Sequence, residues 1–112
     1  MRYEFRDGRL HLHRTAEEKE PLLQRLGRIE GQVRGVRRMV EADRYCLDEV
    51  QQASAITAAM REVALLIIQD HLTAAVDFAV QSQDGQAAVR EMIAVLRGLA
   101  PVAGIAMPAV MD

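Results

Sequence analysis

Aromatic side chains are nearly missing from this sequence: two Tyr, two Phe and no Trp in 112 residues. Half of the chain is nonetheless hydrophobic. Its core must be built from Ala, Leu, Ile, Val and Met, which suits helices packed on helices. A second cysteine is also missing. An internal disulfide is thereby excluded, the usage fits a reducing cytoplasm, and one free thiol is left to explain. Charge of one sign is scarce. Fourteen Lys and Arg against sixteen Asp and Glu leave a net charge of -2, so this is not a generally basic nucleic-acid coat, and any DNA contact has to come from a local patch. No uninterrupted apolar run approaches the roughly 20 residues needed to span a membrane. The opening MRYEFRDGRLHLHR is too charged for a signal peptide. A single cytoplasmic domain with no membrane partner is expected, and no internal repeat divides it.

Residues 1–14 show no clear period. RLHLHR alternates and could form a short strand, but the segment reads as a flexible N-terminal tail, and no strand pattern worth a sheet follows. Thr15 followed by Glu18 reads as a capping box. Pro21 tolerates only a first-turn position, which argues for a start nearer Glu20. From there Leu22, Leu26, Ile29, Val33, Val36 and Val40 recur at steps of four and three, a helical stripe of coiled-coil type. EADRY breaks the pattern, with Asp43 as cap for the next helix. That helix runs from about Cys46 to about Val80. Ala53, Ile56, Met60, Val63, Ile67, His71, Ala74 and Phe78 form its main stripe, and Leu65, Leu66, Ile68 and Val76 lie off it. A helix apolar on more than one face is buried on more than one face. So short a chain offers too few partners for that, which predicts an oligomer. QSQDGQ is the next break. Asp84 would cap a third helix reaching Leu99, with Val89, Met92, Leu96 and Leu99 inward. The helical domain is thus 15–99. Pro101 and Pro108 forbid a regular helix through the rest, leaving 100–112 as an apolar C-terminal tail.

The stretch RLGRIEGQVRGVRR is unusual for a helix. Gly27, Gly31 and Gly35 line up roughly opposite the apolar stripe. Each mid-helix glycine costs about 1 kcal/mol relative to alanine, so something is expected to approach the backbone closely there. Arg25, Arg28, Arg34, Arg37 and Arg38 face only Glu30 within residues 25–38, a local charge of +4. Two readings stand side by side. The arginines form a phosphate contact, or they make a solvated polar face with inter-helix salt bridges. The glycines equally suit close helix packing in an oligomer. No helix-turn-helix, zinc finger or strand ribbon appears.

Cys46 opens the second helix, and His71 lies on its apolar stripe. At 1.5 Å per residue a continuous helix separates them by about 37 Å. They cannot share a ligand within one chain. Two such helices paired antiparallel about an axis near residue 58 or 59 would bring Cys46 of one chain to His71 of the other, making two identical sites per dimer. Thiolate plus imidazole suits Cu(I) or Zn(II), and a helix N-terminus favours the thiolate. The alternative is a small buried hydrophobe and a hydrogen-bonded core histidine, unrelated to each other.

RLGRIEGQVRGVRRMVEADRYC, followed by DHL at residues 70–72, resembles the CsoR/RcnR/FrmR family of small bacterial repressors over about residues 20–99. The resemblance implies an all-α, three-helix protomer, an antiparallel four-helix-bundle dimer, and dimers paired into homotetramers. It implies binding to double-stranded operator DNA in the resting state and release when an inducer occupies a Cys–His site between protomers. Arg25 matches a DNA-contacting position, whereas Gly27 stands where a basic residue is usual. Cys46 and His71 match the first two ligands of the copper sensors, and Tyr45 and Glu91 match their outer-shell tyrosine and glutamate. The third ligand of those sensors is replaced by Ala75, which cannot bind metal. Nickel and cobalt sensors add N-terminal histidines, a part that His11 or His13 can take. Formaldehyde sensors keep the cysteine and lack the third ligand. A basic residue common in the family is Glu62 here, with Arg61 beside it.

The expectation is a non-enzymatic, copper-responsive repressor with Cu(I) as effector. Cys46 and the partner protomer's His71 form the sensing site, with His11 or His13 in reserve. Arg25, Arg28, Arg34, Arg37, Arg38 and Arg61 contact DNA. The alternatives are a formaldehyde sensor acting through Cys46 with no metal, a Ni(II), Co(II) or Zn(II) sensor, and, more remotely, a metal-binding helical oligomer with no DNA role.

Overall fold

Three helices and one hairpin make up residues 2–103, the part of the chain that the computed structural model describes. In order they are β1 (Arg2–Arg6), β2 (Arg9–His13), α1 (Ala16–Glu41), α2 (Cys46–Ser82) and α3 (Gly85–Ala103). Residues 14–67 form one compact unit. The hairpin and the described residues from Ile68 on form a second.

In the first unit, α1 begins where its capping box predicts. The Thr15 hydroxyl accepts from the Glu18 N–H, and the Glu18 carboxylate accepts from the Thr15 N–H, both at 3.1 Å. Such a cap contributes about 1 kcal/mol. The expected later start at Glu20 is corrected, because Pro21 sits inside the helix. The missing N–H leaves only the Glu17 carbonyl without its helical donor, and Glu17 and Pro21 are both exposed, so water can serve that oxygen. Asp43 is a second correction. It does not cap α2; it ends α1 in the left-handed region, at φ 52°. The Arg44 N–H reaches Met39 O and the Asp43 N–H reaches Val40 O, the bond pair of a Schellman ending. The Tyr45 carbonyl then accepts from the Asp48 and Glu49 N–H groups as α2 starts. Ile29 and Val63 are buried in this unit, while Leu23, Val33, Val40, Leu47, Val50, Met60, Leu65 and Ile67 stay exposed. By length and composition α2 could cross a membrane, although Arg61, Glu62 and Asp70 interrupt its apolar run.

The second unit holds the departure from an all-helical protomer. Residues 2–13 are not a flexible tail; they are a two-stranded antiparallel hairpin with Phe5 opposite Leu10 and Tyr3 opposite Leu12. Asp7 and Gly8 make the turn with φ 54° and 72°, the positive pair that a two-residue type I′ connection requires. In this register Tyr3, Phe5, Leu10 and Leu12 share one face, and Arg2, Glu4, Arg6, Arg9, His11 and His13 share the other. An isolated hairpin is marginal in water, and this one is docked. Leu10 is buried with Ala74 and Ala75, against Tyr3, Leu12, Phe78 and Met92. Phe5 stacks on Phe78 with centroids 4.4 Å apart, worth about 1 kcal/mol beyond burial. The Tyr3 hydroxyl donates to Asp77.

Asp84 caps α3 as its position predicts: its carboxylate accepts from the Ala87 N–H at 3.1 Å. The helix then continues past Leu99 and through Pro101 to Ala103, so the boundary placed at residue 99 is corrected. One proline removes a single i→i−4 bond, here to the Arg97 carbonyl, close to the helix end. Pro108 and the rest of the expected C-terminal tail lie outside the described residues.

Candidate functional site

His71 sits on α2 with 15% of its side chain exposed. Its Nε2 lies 2.7 and 3.1 Å from the two carboxylate oxygens of Glu91 on α3. A carboxylate only accepts, so Nε2 is the donor and Nδ1 is left for another ligand. Glu91 is buried, at 7% exposure, and its Oε2 also accepts from the Leu10 backbone N–H at 2.9 Å. The carboxylate thus joins α2, α3 and the hairpin. It lines a cleft of about 370 Å³ with Gly8, Arg9, Leu10, His11, His71, Ala94 and Val95. The structure therefore brings His71, Glu91 and His11 to one cleft. His13 is placed apart from it, exposed and 3.5 Å from Glu4. Ala75 is 1% exposed, packed in the core that contains Leu10.

Cys46 and Tyr45 belong to the other unit. Cys46 is a free, exposed thiol at the first residue of α2, and Tyr45 is exposed beside it. Among the described residues of the single chain, no three His, Cys, Asp or Glu side chains gather as a metal site. The donors present still fit a soft monovalent metal: a thiolate, and an imidazole whose other nitrogen is held by a carboxylate.

Arg25, Arg28, Arg34, Arg37 and Arg38 all lie on α1. Arg25 and Arg28 line a pocket of about 130 Å³ with Ile29, Gln32 and Ala59. Arg37 pairs with Glu41 at 3.1 Å, both well exposed, an i,i+4 contact worth a few tenths of a kcal/mol. Arg34 passes 3.7 Å from where a Cβ on Gly31 would sit. Arg38 and Arg61 are exposed. At Gly27 and Gly35 an added Cβ would meet nothing within 4 Å. Close packing inside the protomer is therefore not what these two glycines serve.

A family model described as metal-sensitive transcriptional repressor matches residues 18–98. The chain belongs to that family. Among its members, the copper-sensing transcriptional repressor CsoR of Bacillus subtilis is 47% identical over 85 residues, 76% of this chain and 84% of that protein. The crystal structure of the copper-sensing repressor CsoR with Cu(I) from Geobacillus thermodenitrificans superposes with a TM-score of 0.70 at 44% identity, covering 80% of this chain and 93% of that one. The nickel-responsive transcriptional regulator InrS gives 0.69 at 33% identity, covering 78% and 97%. The part matched to the metal-sensitive repressor family holds the α1 arginines, Cys46, His71 and Glu91; the hairpin lies before it.

Sequence reasoning missed the hairpin and its Leu10 N–H. The signal was present: an Asp-Gly pair flanked by alternating apolar residues, YEFR before it and RLHL after it.

Proposed function

We propose that this metal-sensitive repressor is a cytoplasmic, non-enzymatic copper sensor. It holds operator DNA while free of inducer and releases it when Cu(I) occupies sites built from Cys46 of one protomer and His71 of its partner. The observation that carries the reading is the Glu91–His71 pair at 2.7 Å. It commits Nε2 and turns a core histidine into a ligand with Nδ1 free. Bound Cu(I) would supply a thiolate–imidazole cross-link between protomers. Tyr45 stands next to the thiolate in sequence and would complete the surroundings on that side. The α1 arginines and Arg61 form the phosphate-contacting surface.

Assembly into antiparallel dimers, and of dimers into tetramers, is supported by the apolar side chains that one chain leaves uncovered on α2. Each contributes about 1.5–3 kcal/mol when buried. Half a dozen therefore reach the order of 10 kcal/mol, comparable with the cost of association. Inducer binding then favours the arrangement with low DNA affinity, and a coupling of about 1–3 kcal/mol is ordinary for such a switch.

Anisotropy of upstream DNA, titrated anaerobically with Cu(I), tests this. DNA release near one Cu(I) per protomer is expected, and Cys46→Ala and His71→Ala should keep DNA binding while losing the release. Tight DNA binding indifferent to Cu(I) would remove copper. A response to Ni(II) would then favour a site that includes His11, which already lines the His71 cleft, and a response to formaldehyde would favour Cys46 alone. For DNA, Arg25→Ala and Arg28→Ala should each weaken binding to all sequences and lower the salt slope by about 1. Unchanged slopes would place the phosphates elsewhere.

A further inference from the structure

The hairpin lies outside the residues matched to the family, yet it ends on the carboxylate that holds His71. Three observations bear on what it does there. First, it is anchored on its apolar face by Leu10, Phe5 and Tyr3, which meet Ala75, Phe78 and Asp77 on α2. Second, the strand edge is used. In a hairpin with a two-residue turn, the pair flanking the turn exchanges both backbone hydrogen bonds and the next pair exchanges none. Arg6–Arg9 is the flanking pair and Phe5–Leu10 the next, so the Leu10 N–H points out of the ladder. Its partner is Glu91 Oε2, at 2.9 Å. Third, Glu91 is buried, and its other oxygen is the one nearer His71 Nε2. With a donor on each oxygen the carboxylate has one orientation, and that orientation dictates the imidazole ring.

We propose that the N-terminal hairpin is a positioning element of the inducer site: the Leu10 amide sets Glu91, and Glu91 sets the ring and tautomer of His71. The proposal rests on the reading of His71 as an inducer ligand. It also gives Ala75 a physical reason. Leu10 packs beside Ala75 in one buried cluster, so a larger side chain at 75 would lift the strand off Glu91. The missing third ligand and the added hairpin are then two sides of one arrangement.

The test begins without metal, on the full chain labelled with ¹⁵N-histidine. Two-bond ¹H–¹⁵N correlation reads the tautomer of neutral His71. The native protein should show the proton on Nε2 alone. Leu10→Pro removes both the N–H, at an edge position that the ladder does not use, and the buried Leu10 side chain, and should give a mixture of tautomers; Leu10→Ala, which keeps the N–H, should shift the signals less far. Phe5→Ala loosens the same docking from the other strand and should shift the signals the same way, less far. Unchanged His71 signals in Leu10→Pro and Phe5→Ala, with helicity retained, would overturn the proposal. Cu(I) competition with a chromophoric chelator supplies the second arm. Leu10→Pro should weaken Cu(I) binding about tenfold, in the range seen when partners of metal ligands are removed. In a Glu91→Ala background it should weaken binding by less than about twofold, because the link is already cut. An equal loss in both backgrounds would mean that the hairpin stabilises the fold without positioning the ligand, and would also overturn the proposal. Native protein that takes no Cu(I) through His71 would remove the copper reading, and the metal-free signals would still decide the role of the hairpin.

Discussion

Residues 14–67 and the hairpin-covered residues from Ile68 on differ in where their apolar side chains go. In the second region Leu10, Ala74, Ala75 and Ala88 are buried by the same chain, and a polar network of Glu91, His71 and the Leu10 amide is satisfied inside it. In the first, the buried side chains are Ile29 and Val63, and nine large hydrophobic residues, Tyr45 among them, remain exposed, against Phe5, Val76, Val80, Val89 and Leu96 in the second. The candidate ligands follow the same division. His71 arrives already oriented, whereas Cys46 stands exposed at a helix start. Both regions leave apolar side chains uncovered, but the first leaves more of them and buries fewer. The proposed sensor shared between protomers would draw on both: an oriented His71 from one chain, and an exposed Cys46 from the other.

The largest effect should come from attacking the more exposed region. Met60→Glu together with Ile67→Glu places charge on its exposed apolar stripe, and should cost the assembly roughly 3 kcal/mol or more per site. Sedimentation should show monomer, with a lower melting temperature. A variant that keeps both its oligomeric state and its melting point would break the comparison. In the hairpin-covered region, Leu10→Ala should cost about 2–3 kcal/mol of hairpin docking. Amide exchange should rise at residues 2–13 and near Glu91 while total helicity holds. Global unfolding instead would mean that the hairpin is integral to the helices and not a docked element.

The smallest effects are electrostatic and separate the regions by pH. Glu18 is held below its ordinary 4.5 because the Thr15 backbone N–H donates to its carboxylate. The support it gives α1 is complete above 4.5 and fades as pH falls through the lower folded value. Exchange at the start of α1 should rise there, and Glu18→Gln should abolish that pH dependence. Tyr3 is shifted the other way. Donation to Asp77 raises its hydroxyl above the ordinary 10.0, so its contribution is complete below 10.0 and lost as pH rises through the higher folded value. In Tyr45→Phe protein the phenolate absorbance should therefore appear above pH 10.0, and Asp77→Asn should bring it down.

The parts legible in the sequence were those decided locally. Thr15 with Glu18 and the cap at Asp84 depend on contacts three residues apart, and both appear as the spacing predicts. The reach of α2 followed from its unbroken helical period. Pro21 and Pro101 depart from the rule against mid-helix proline because one lost bond costs little at an exposed or terminal position. Asp43 misled because an Asp between helices serves equally as the stop of one or the start of the next, and only its φ decides. RLHLHR taken alone does not identify the hairpin. Its evidence lies in the pairing of that stretch with YEFR across Asp7-Gly8, and six of its ten strand residues are Arg, Glu or His because those six face out. The links through Glu91 were beyond local reading. Leu10 and Glu91 are 81 positions apart and His71 and Glu91 are 20, and no periodicity announces either contact. Glu91 was found only because the stretch around it resembles a known family.

To a protein engineer, Gly27 and Gly35 look like free gains. There is open space where a methyl group would go, and each alanine should stabilise the helix by about 1 kcal/mol. That makes them a detector with a built-in sign. Inside the isolated chain the substitutions can only help, so any loss of function they cause must come from a surface that is not part of this chain. The helix face with the fewest atoms thus becomes the place where the size of an outside partner can be measured, one methyl group at a time.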